Sequence, residues 1–108
     1  MMKRIKLKHG YHDAMVRAIN CRDDKSVIFE VDLCGCCNPT SGTAIISFHG
    51  VRNFEEVQRQ LDSARTKSSR IKYIDEIIGI VRDPARGYLV DLMDAGAVRI
   101  DSRGIHEA

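Results

Sequence analysis

The sequence of 108 residues has no tryptophan and only two prolines. It contains no apolar run near the roughly 18 residues that a membrane helix needs. Residues 1–8 are basic, but the apolar stretch of a secretory signal does not follow them. The chain also lacks internal repeats, low-complexity tracts and a Pro-, Gly- or Ser-rich linker. We therefore predict a single domain over residues 1–108, located in the cytoplasm and without a membrane partner.

The net charge of +2 is unevenly distributed. Four basic residues precede the first acid, Asp13, and without them 13 basic residues face 15 acidic ones. A second acid-free basic stretch covers residues 65–72. Neither stretch has the interleaved aromatic residues typical of nucleic-acid sites. The pattern disfavours nucleic acid as a partner and leaves another protein as the expected one.

Alternating apolar residues predict strands. In residues 26–33, Val27, Phe29 and Val31 share one face, and Glu30 and Asp32 share the other. Residues 43–49 alternate in the same way and are expected to pair with them, so residues 34–42 become a hairpin loop. Residues 77–81, 88–93 and 97–102 predict a three-strand meander at the C-terminal end.

The best helical pattern covers residues 53–67. Phe54, Val57 and Leu61 recur at helical spacing. Asn53 and Glu56 stand at the positions of a capping box, so the Asn53 side chain is expected to cap the first turn.

Two segments, residues 12–20 and 71–82, fit either a helix or a strand. The overall pattern predicts an α+β fold: an antiparallel sheet of five or six strands, one long helix packed on a face, and the C-terminal three-strand meander.

The cysteines are the one chemically unusual feature. Cys34 and Cys37 form a C-x-x-C pair, a spacing that can bind zinc, and a closed zinc site needs four ligands. Cys21, or a histidine among His9, His12 and His49, would complete the set. A thioredoxin-type role fits less well, because no helix is expected to begin at this pair. The simplest interpretation has no function for the cysteines: they are small apolar side chains at the tip of a hairpin.

A reducing compartment keeps most cysteines as thiols, so a disulfide framework is not expected. The alternative function is accordingly a zinc-binding or thiol-dependent protein that uses the Cys34-x-x-Cys37 loop. Zinc is then the alternative cofactor, with Cys34, Cys37 and Cys21 as candidate ligands.

Other candidate sites are weaker. His12 and Asp13 can bind a metal or act as acid and base, but a plainer role is local capping at the start of the next element. The glycines form no phosphate-binding loop, and the serines lack a nucleophile-elbow context. We therefore expect neither an enzyme nor a bound cofactor.

The order of His12-Asp13-Ala14, the hairpin and residues 48–54 (FHGVRNF) resembles small bacterial α+β domains that are uncharacterised or of toxin-immunity type. That resemblance implies protein binding without catalysis, and no functional residue can be carried over from it. The cysteine loop is not part of the resemblance.

The leading hypothesis is thus a non-catalytic protein-binding module, of the immunity type. Glu30, Asp32 and Asp91 are candidates for its binding surface. Ile28 and Ile45 give the second sheet face an apolar character, so both a monomer and a homodimer are open.

Overall fold

The computed structural model describes residues 3–5, 7–36, 38–39, 42–83 and 87–108. Within them the chain forms eight strands and one helix, in the order β1 (Lys3–Arg4), β2 (Ala14–Cys21), β3 (Val27–Asp32), β4 (Thr43–His49), α1 (Phe54–Lys67), β5 (Asp75–Asp83), β6 (Gly87–Leu92), β7 (Gly96–Ile100) and β8 (Gly104–Glu107).

All strands belong to one antiparallel sheet. Seven of them follow the order β7-β6-β5-β2-β3-β4-β8, and the short β1 pairs with β5. The two ends of this order, β7 and β8, are consecutive in the chain and are separated only by residues 101–103. A link this short spans at most about 14 Å even when fully extended. The sheet therefore curls until its two outermost strands approach each other.

Two irregularities in neighbouring strands accompany the curl. The register of β2 against β3 shifts between Val16 and Ala18, and that of β5 against β6 shifts between Ile77 and Gly79. A bulge inserts an extra residue into one strand, bends it and increases the local twist. Because β2 and β5 pair directly, both shifts lie near the middle of the sheet, where they favour its curvature.

The concave face of the sheet encloses one hydrophobic core. Three aromatic rings meet there: the ring centroids of Phe29 and Phe48 are 6.1 Å apart, and those of Phe48 and Tyr88 are 5.5 Å apart. α1 packs against β7 and buries Phe54 and Leu61. The helix thereby covers core that the sheet alone does not enclose.

The predicted fold class is wrong. The sheet has seven strands in its main path rather than five or six, and the only helix in the described residues is a short one of 14 residues. Both ambiguous segments are strands, β2 and β5, and the sequence pattern did not predict β8. The meander of β5, β6 and β7 does not end the fold, because the chain continues into β8 and pairs there with β4.

The predicted cap of α1 is also wrong. Asn53 precedes the helix but makes no side-chain capping hydrogen bond. Its Oδ1 instead accepts a hydrogen bond from the Asp101 amide at 2.9 Å, and its Nδ2 donates to the Arg99 carbonyl at 2.9 Å. Asn53 therefore ties the start of the helix to the end of β7.

A buried carboxylate organises the turn between β6 and β7. Asp75 is 1% exposed. Its Oδ1 accepts hydrogen bonds from the amides of Glu76 at 2.8 Å and Asp94 at 3.0 Å, and its Oδ2 accepts one from the amide of Ala95 at 3.0 Å. Asp75, the first residue of β5, therefore fixes the turn between β6 and β7 to β5.

We predict that Asp75→Asn lowers the free energy of unfolding by about 2–3 kcal/mol, because an amide group accepts fewer of these hydrogen bonds and turns its own N–H groups toward backbone donors. Chemical denaturation followed by circular dichroism measures the change. Asp23→Asn, at an exposed turn position, is the control and should stay within about 0.5 kcal/mol of wild type. Equal stability of the two variants would contradict this role for Asp75.

We also predict that Gly87→Ala is the more damaging of two matched glycine substitutions. Gly87 has φ +88°, and an added Cβ would clash with the backbone carbonyl oxygen of Ile100. Gly96 has a similar φ of +83° but open space around the Cβ position. Gly96→Ala should therefore show only the backbone penalty of about 1–2 kcal/mol, whereas Gly87→Ala should lose a further 1–3 kcal/mol, roughly, because β7 must move. Thermal unfolding of both variants checks the ranking.

Candidate functional site

The loop after β3 carries a disulfide. Leu33 donates its amide hydrogen to the Gly42 carbonyl at 2.7 Å, which closes the base of the loop, residues 33–42. Cys34 and Cys36 are joined by a disulfide across Gly35, with Cα atoms 5.2 Å apart. Cys34 is half-buried and Cys36 is exposed. The bonded pair is thus C-x-C, and the expectation of thiols does not hold for it.

Cys37, the second cysteine of the predicted C-x-x-C pair, lies outside the described residues. Its predicted partner Cys34 is the half-buried member of the disulfide.

Asn38 fixes the loop to the segment that precedes β2. Its Nδ2 donates hydrogen bonds to the carbonyls of Gly10 at 3.0 Å and Cys34 at 2.9 Å, while its Oδ1 accepts one from the Gly10 amide at 3.0 Å. One side chain therefore holds the disulfide beside residues 10–13.

Asp13 faces the disulfide from that segment. Its backbone has a left-handed φ of 65°, a conformation that aspartate tolerates better than most residues. Its amide donates to the Ile77 carbonyl at 2.9 Å. Its Oδ2 lies 3.9 Å from the Sγ of Cys36, and the side-chain ligand atoms of Asp13, Cys34 and Cys36 all lie within 4.8 Å of one another.

His12 adds a fourth donor to this group. Its Nδ1 lies 2.8 Å from the Ile78 carbonyl oxygen, and its Nε2 lies 3.5 Å from the Oδ2 of Asp13. A carbonyl oxygen only accepts hydrogen bonds, so Nδ1 carries a hydrogen, and in the neutral form of the ring the lone pair is at Nε2. We call His12, Asp13, Cys34 and Cys36 the rim cluster.

Strand pairing explains why the rim cluster forms. β2 and β3 are antiparallel, and Met15 pairs with Asp32. The residues just before β2 therefore lie beside the residues just after β3. From the sequence, His12-Asp13 and the cysteine loop were two separate candidates. Assigning residues 12–20 as a strand paired with residues 26–33 would have placed them side by side.

An acidic neighbour adjoins the rim cluster on β5. Burial, reinforced by a hydrogen bond with the Asp13 carboxyl, raises the pKa of Glu76. The Nη1 of Arg70 lies 3.9 Å from the Oε1 of Glu76 on its other side.

A network from the last strand fixes the backbone that leads to the rim cluster. The Glu107 carboxylate accepts hydrogen bonds from the amides of Lys8 at 2.7 Å and His9 at 3.2 Å and from the Tyr11 hydroxyl at 2.8 Å. Burial, together with this hydrogen bond, raises the pKa of Tyr11 far above its usual range, so the hydroxyl stays a donor. Residues 8–11 are therefore held in place directly before His12.

The structure does not bring Cys21 to the rim cluster. Cys21 pairs with Val27 at the other end of β3, and the length of that strand places it roughly 20 Å from Cys34. Burial, with a contribution from the Asp62 carboxylate, raises the pKa of the Cys21 thiol, which keeps it protonated. Cys21 and Cys34, two of the three predicted zinc ligands, are therefore too far apart to bind the same zinc ion.

The other two candidate histidines also lie outside the rim cluster. His49 ends β4, and its Nδ1 is 3.1 Å from the Ser26 hydroxyl. His9 lies edge-on to the ring of Tyr11, with centroids 6.2 Å apart.

A surface groove of about 690 Å³ opens beside the rim cluster. Its lining combines polar residues next to the disulfide with apolar residues of β5, and includes Leu7, Tyr11, His12, Asn38, Ile78 and Ile80. A second pocket of about 540 Å³ lies between the end of α1 and the turn that Asp75 organises. That pocket contains no cysteine or histidine among its described lining residues.

The residues predicted for a protein-binding surface are partly engaged within the fold. Glu30 and Asp91 are half-buried. Asp32 accepts a hydrogen bond from the Tyr73 hydroxyl at 2.7 Å and lies 3.6 Å from the Arg17 guanidinium. On the same convex face Ile28 is half-buried and Ile45 is 40% exposed. Protein binding, the oligomeric state and the non-enzymatic role stay predictions.

Comparison with known proteins found no matching family model, no matching curated protein and no matching solved structure. The resemblance to toxin-immunity domains accordingly stays a prediction. Among the described residues no helix has both the length and the apolar character needed to span a membrane.

We predict that Asn38→Ala loosens the loop. Loss of its three hydrogen bonds should lower the free energy of unfolding by about 1–3 kcal/mol and should speed hydrogen exchange at the Gly10 amide, which loses its acceptor. Mass-spectrometric hydrogen exchange measures the second effect. Asn20→Ala, at an exposed position of β2, is the control, and equal exchange at Gly10 in both variants would exclude the anchoring role.

Proposed function

We propose that this protein is a thiol-based redox-responsive protein in which the Cys34–Cys36 disulfide is a reversible two-electron couple. The observation that carries the proposal is a disulfide at the exposed rim of the sheet that closes a ring of only three residues. Asp13, His12 and the adjoining groove surround it with polar groups and accessible space.

The short ring argues against a structural staple. In the chain-entropy description, a disulfide stabilises a protein more when it closes a longer loop. The Cys34–Cys36 bond restrains a single intervening residue, and the hydrogen bonds of Asn38 already hold the loop in place. A disulfide that contributes little to the fold can open without unfolding the protein.

The geometry favours attack at Cys36. An external thiolate attacks the Sγ of the exposed residue Cys36, the S–S bond breaks, and its electron pair goes to the Sγ of Cys34. The Cys36 amide donates a hydrogen bond to that sulfur at 3.2 Å, which stabilises the negative charge it receives. Water then supplies the proton that converts the Cys34 thiolate to a thiol.

A second external thiolate completes the exchange. It attacks the external sulfur of the mixed disulfide and displaces the Cys36 thiolate, which takes up a proton. Two external thiols are thus oxidised to one external disulfide, and the protein gains two electrons and two protons. The donor is a low-molecular-weight or protein thiol, the class that sets the redox state of a reducing compartment.

The test is a thiol count across glutathione redox buffers, made in a Cys37→Ser background so that three cysteines remain. After alkylation, intact mass should show three alkylated thiols at the reducing end and one, Cys21, at the oxidising end. Three thiols in every buffer, or one thiol in every buffer, would overturn the proposal, because neither result describes a reversible couple.

Two variants serve as controls for the assignment. Cys21→Ser should leave the midpoint unchanged, because Cys21 is distant and its thiol is protonated. Cys36→Ser with Cys37 restored should lose the couple. If a two-electron couple persists in that variant, the active pair is Cys34 with Cys37 and the Cys34–Cys36 assignment is wrong.

A further inference from the structure

We infer that the reduced protein binds one zinc ion through the rim cluster, with Cys34, Cys36, Asp13 and His12 as the four ligands. The inference rests on the proposed function, since both sulfurs are available to a metal only after the disulfide has been reduced. It differs from the zinc site expected from the sequence, which relied on Cys37 and Cys21.

The spacing of the donor atoms is close to that of a zinc site. Zinc bonds of about 2.0–2.3 Å in a tetrahedron place ligand atoms roughly 3.3–3.8 Å apart. The ligand atoms of Asp13, Cys34 and Cys36 lie within 4.8 Å of one another, and the Nε2 of His12 is 3.5 Å from the Asp13 carboxylate. Reduction breaks the S–S bond and lets the two sulfurs separate toward this spacing.

His12 already has the orientation of a metal ligand. A metal-binding histidine usually donates its other ring N–H to a carbonyl or carboxylate, which fixes the ring and directs the lone pair at the metal. Here Nδ1 donates to the Ile78 carbonyl at 2.8 Å, and Nε2 lies 3.5 Å from the Oδ2 of Asp13. The hydrogen bond to β5 supplies this orientation before any ion arrives.

The donor set selects the metal. Two thiolates and an imidazole favour zinc over magnesium or calcium, which prefer oxygen ligands, and a carboxylate oxygen is a common fourth zinc ligand. Zinc displaces the protons of the two thiols on binding. When an external disulfide oxidises the two thiolates to the Cys34–Cys36 disulfide and is itself reduced to two thiols, both sulfur ligands are lost and the ion is released.

The test is a zinc titration of the reduced full-length chain against a chromophoric chelator under anaerobic conditions, with cobalt substitution as a second readout. We expect one zinc per chain and a cobalt spectrum with thiolate charge-transfer bands. Cys34→Ser and Cys36→Ser should each weaken zinc binding by at least about 100-fold, and His12→Ala and Asp13→Asn by about 10- to 100-fold. Oxidised protein should bind no zinc.

Matched control variants distinguish zinc ligands from residues that do not bind the ion. Cys21→Ser and His106→Ala, which change a distant cysteine and an exposed histidine of β8, should leave the zinc affinity unchanged. The inference is overturned if reduced protein binds no zinc. It is also overturned if Cys37→Ser abolishes binding while His12→Ala and Asp13→Asn do not weaken it. Circular dichroism of each variant verifies that a loss of binding is not a loss of fold.

The redox proposal and the zinc proposal can be refuted independently of each other. The thiol count is made with a chelator present, so it reports the redox couple without any metal. Zinc binding is measured only on reduced protein, so it reports the ligand set without the disulfide. A reversible couple with no zinc binding overturns the metal site alone, whereas zinc binding without a couple overturns the redox function and the release of zinc by oxidation.

Discussion

The link of residues 101–103 between β7 and β8 is the constraint on which the rest of the structure depends. It joins the two outermost strands of the sheet, so the sheet must curl and one concave face must enclose the core. The link is itself fixed: the buried Ser102 hydroxyl donates to the His49 carbonyl at 2.6 Å, and the Asp101 amide donates to Asn53. β8 consequently lies beside β4, with Glu107 close enough to hold residues 8–11.

The rim cluster follows from strand pairing within the same sheet. It combines the end of one strand with the beginning of its neighbour, and a third strand, β5, supplies the carbonyl that orients His12. Its parts are fixed by backbone groups and by Asn38 rather than by packing in the core. Under the proposed function, the cluster changes its covalent state at the rim of the sheet while the buried core remains intact.

The sequence predicted best where alternation is regular. The pairing of β3 with β4 is confirmed by their register, in which Val27 lies opposite Phe48 and Asp32 opposite Thr43, and alternate residues of β3 are buried as predicted. Residues 12–20 and 71–82 stayed ambiguous because each contains a bulge, which breaks the period of two and imitates helical spacing. β8 has one aliphatic residue, Ile105, and gives no pattern. Predicting the rim cluster would have required knowledge of the β2–β3 pairing. Asn53 fits a capping pattern in the sequence, but in the structure its side chain bonds to the backbone at the end of β7.

The clamp between Glu107 and the residues near the start of the chain has a kinetic consequence. The Tyr11 hydroxyl and the Glu107 carboxylate are 96 positions apart in sequence, and three of the seven strand pairings, β1–β5, β2–β5 and β4–β8, also join strands that are distant along the chain. Loops of that length must close before these contacts contribute free energy, and antiparallel sheets with such connectivity refold in milliseconds to seconds rather than microseconds. Refolding of this chain is accordingly expected to be slow for its size, with the contacts of β8 among the last to form.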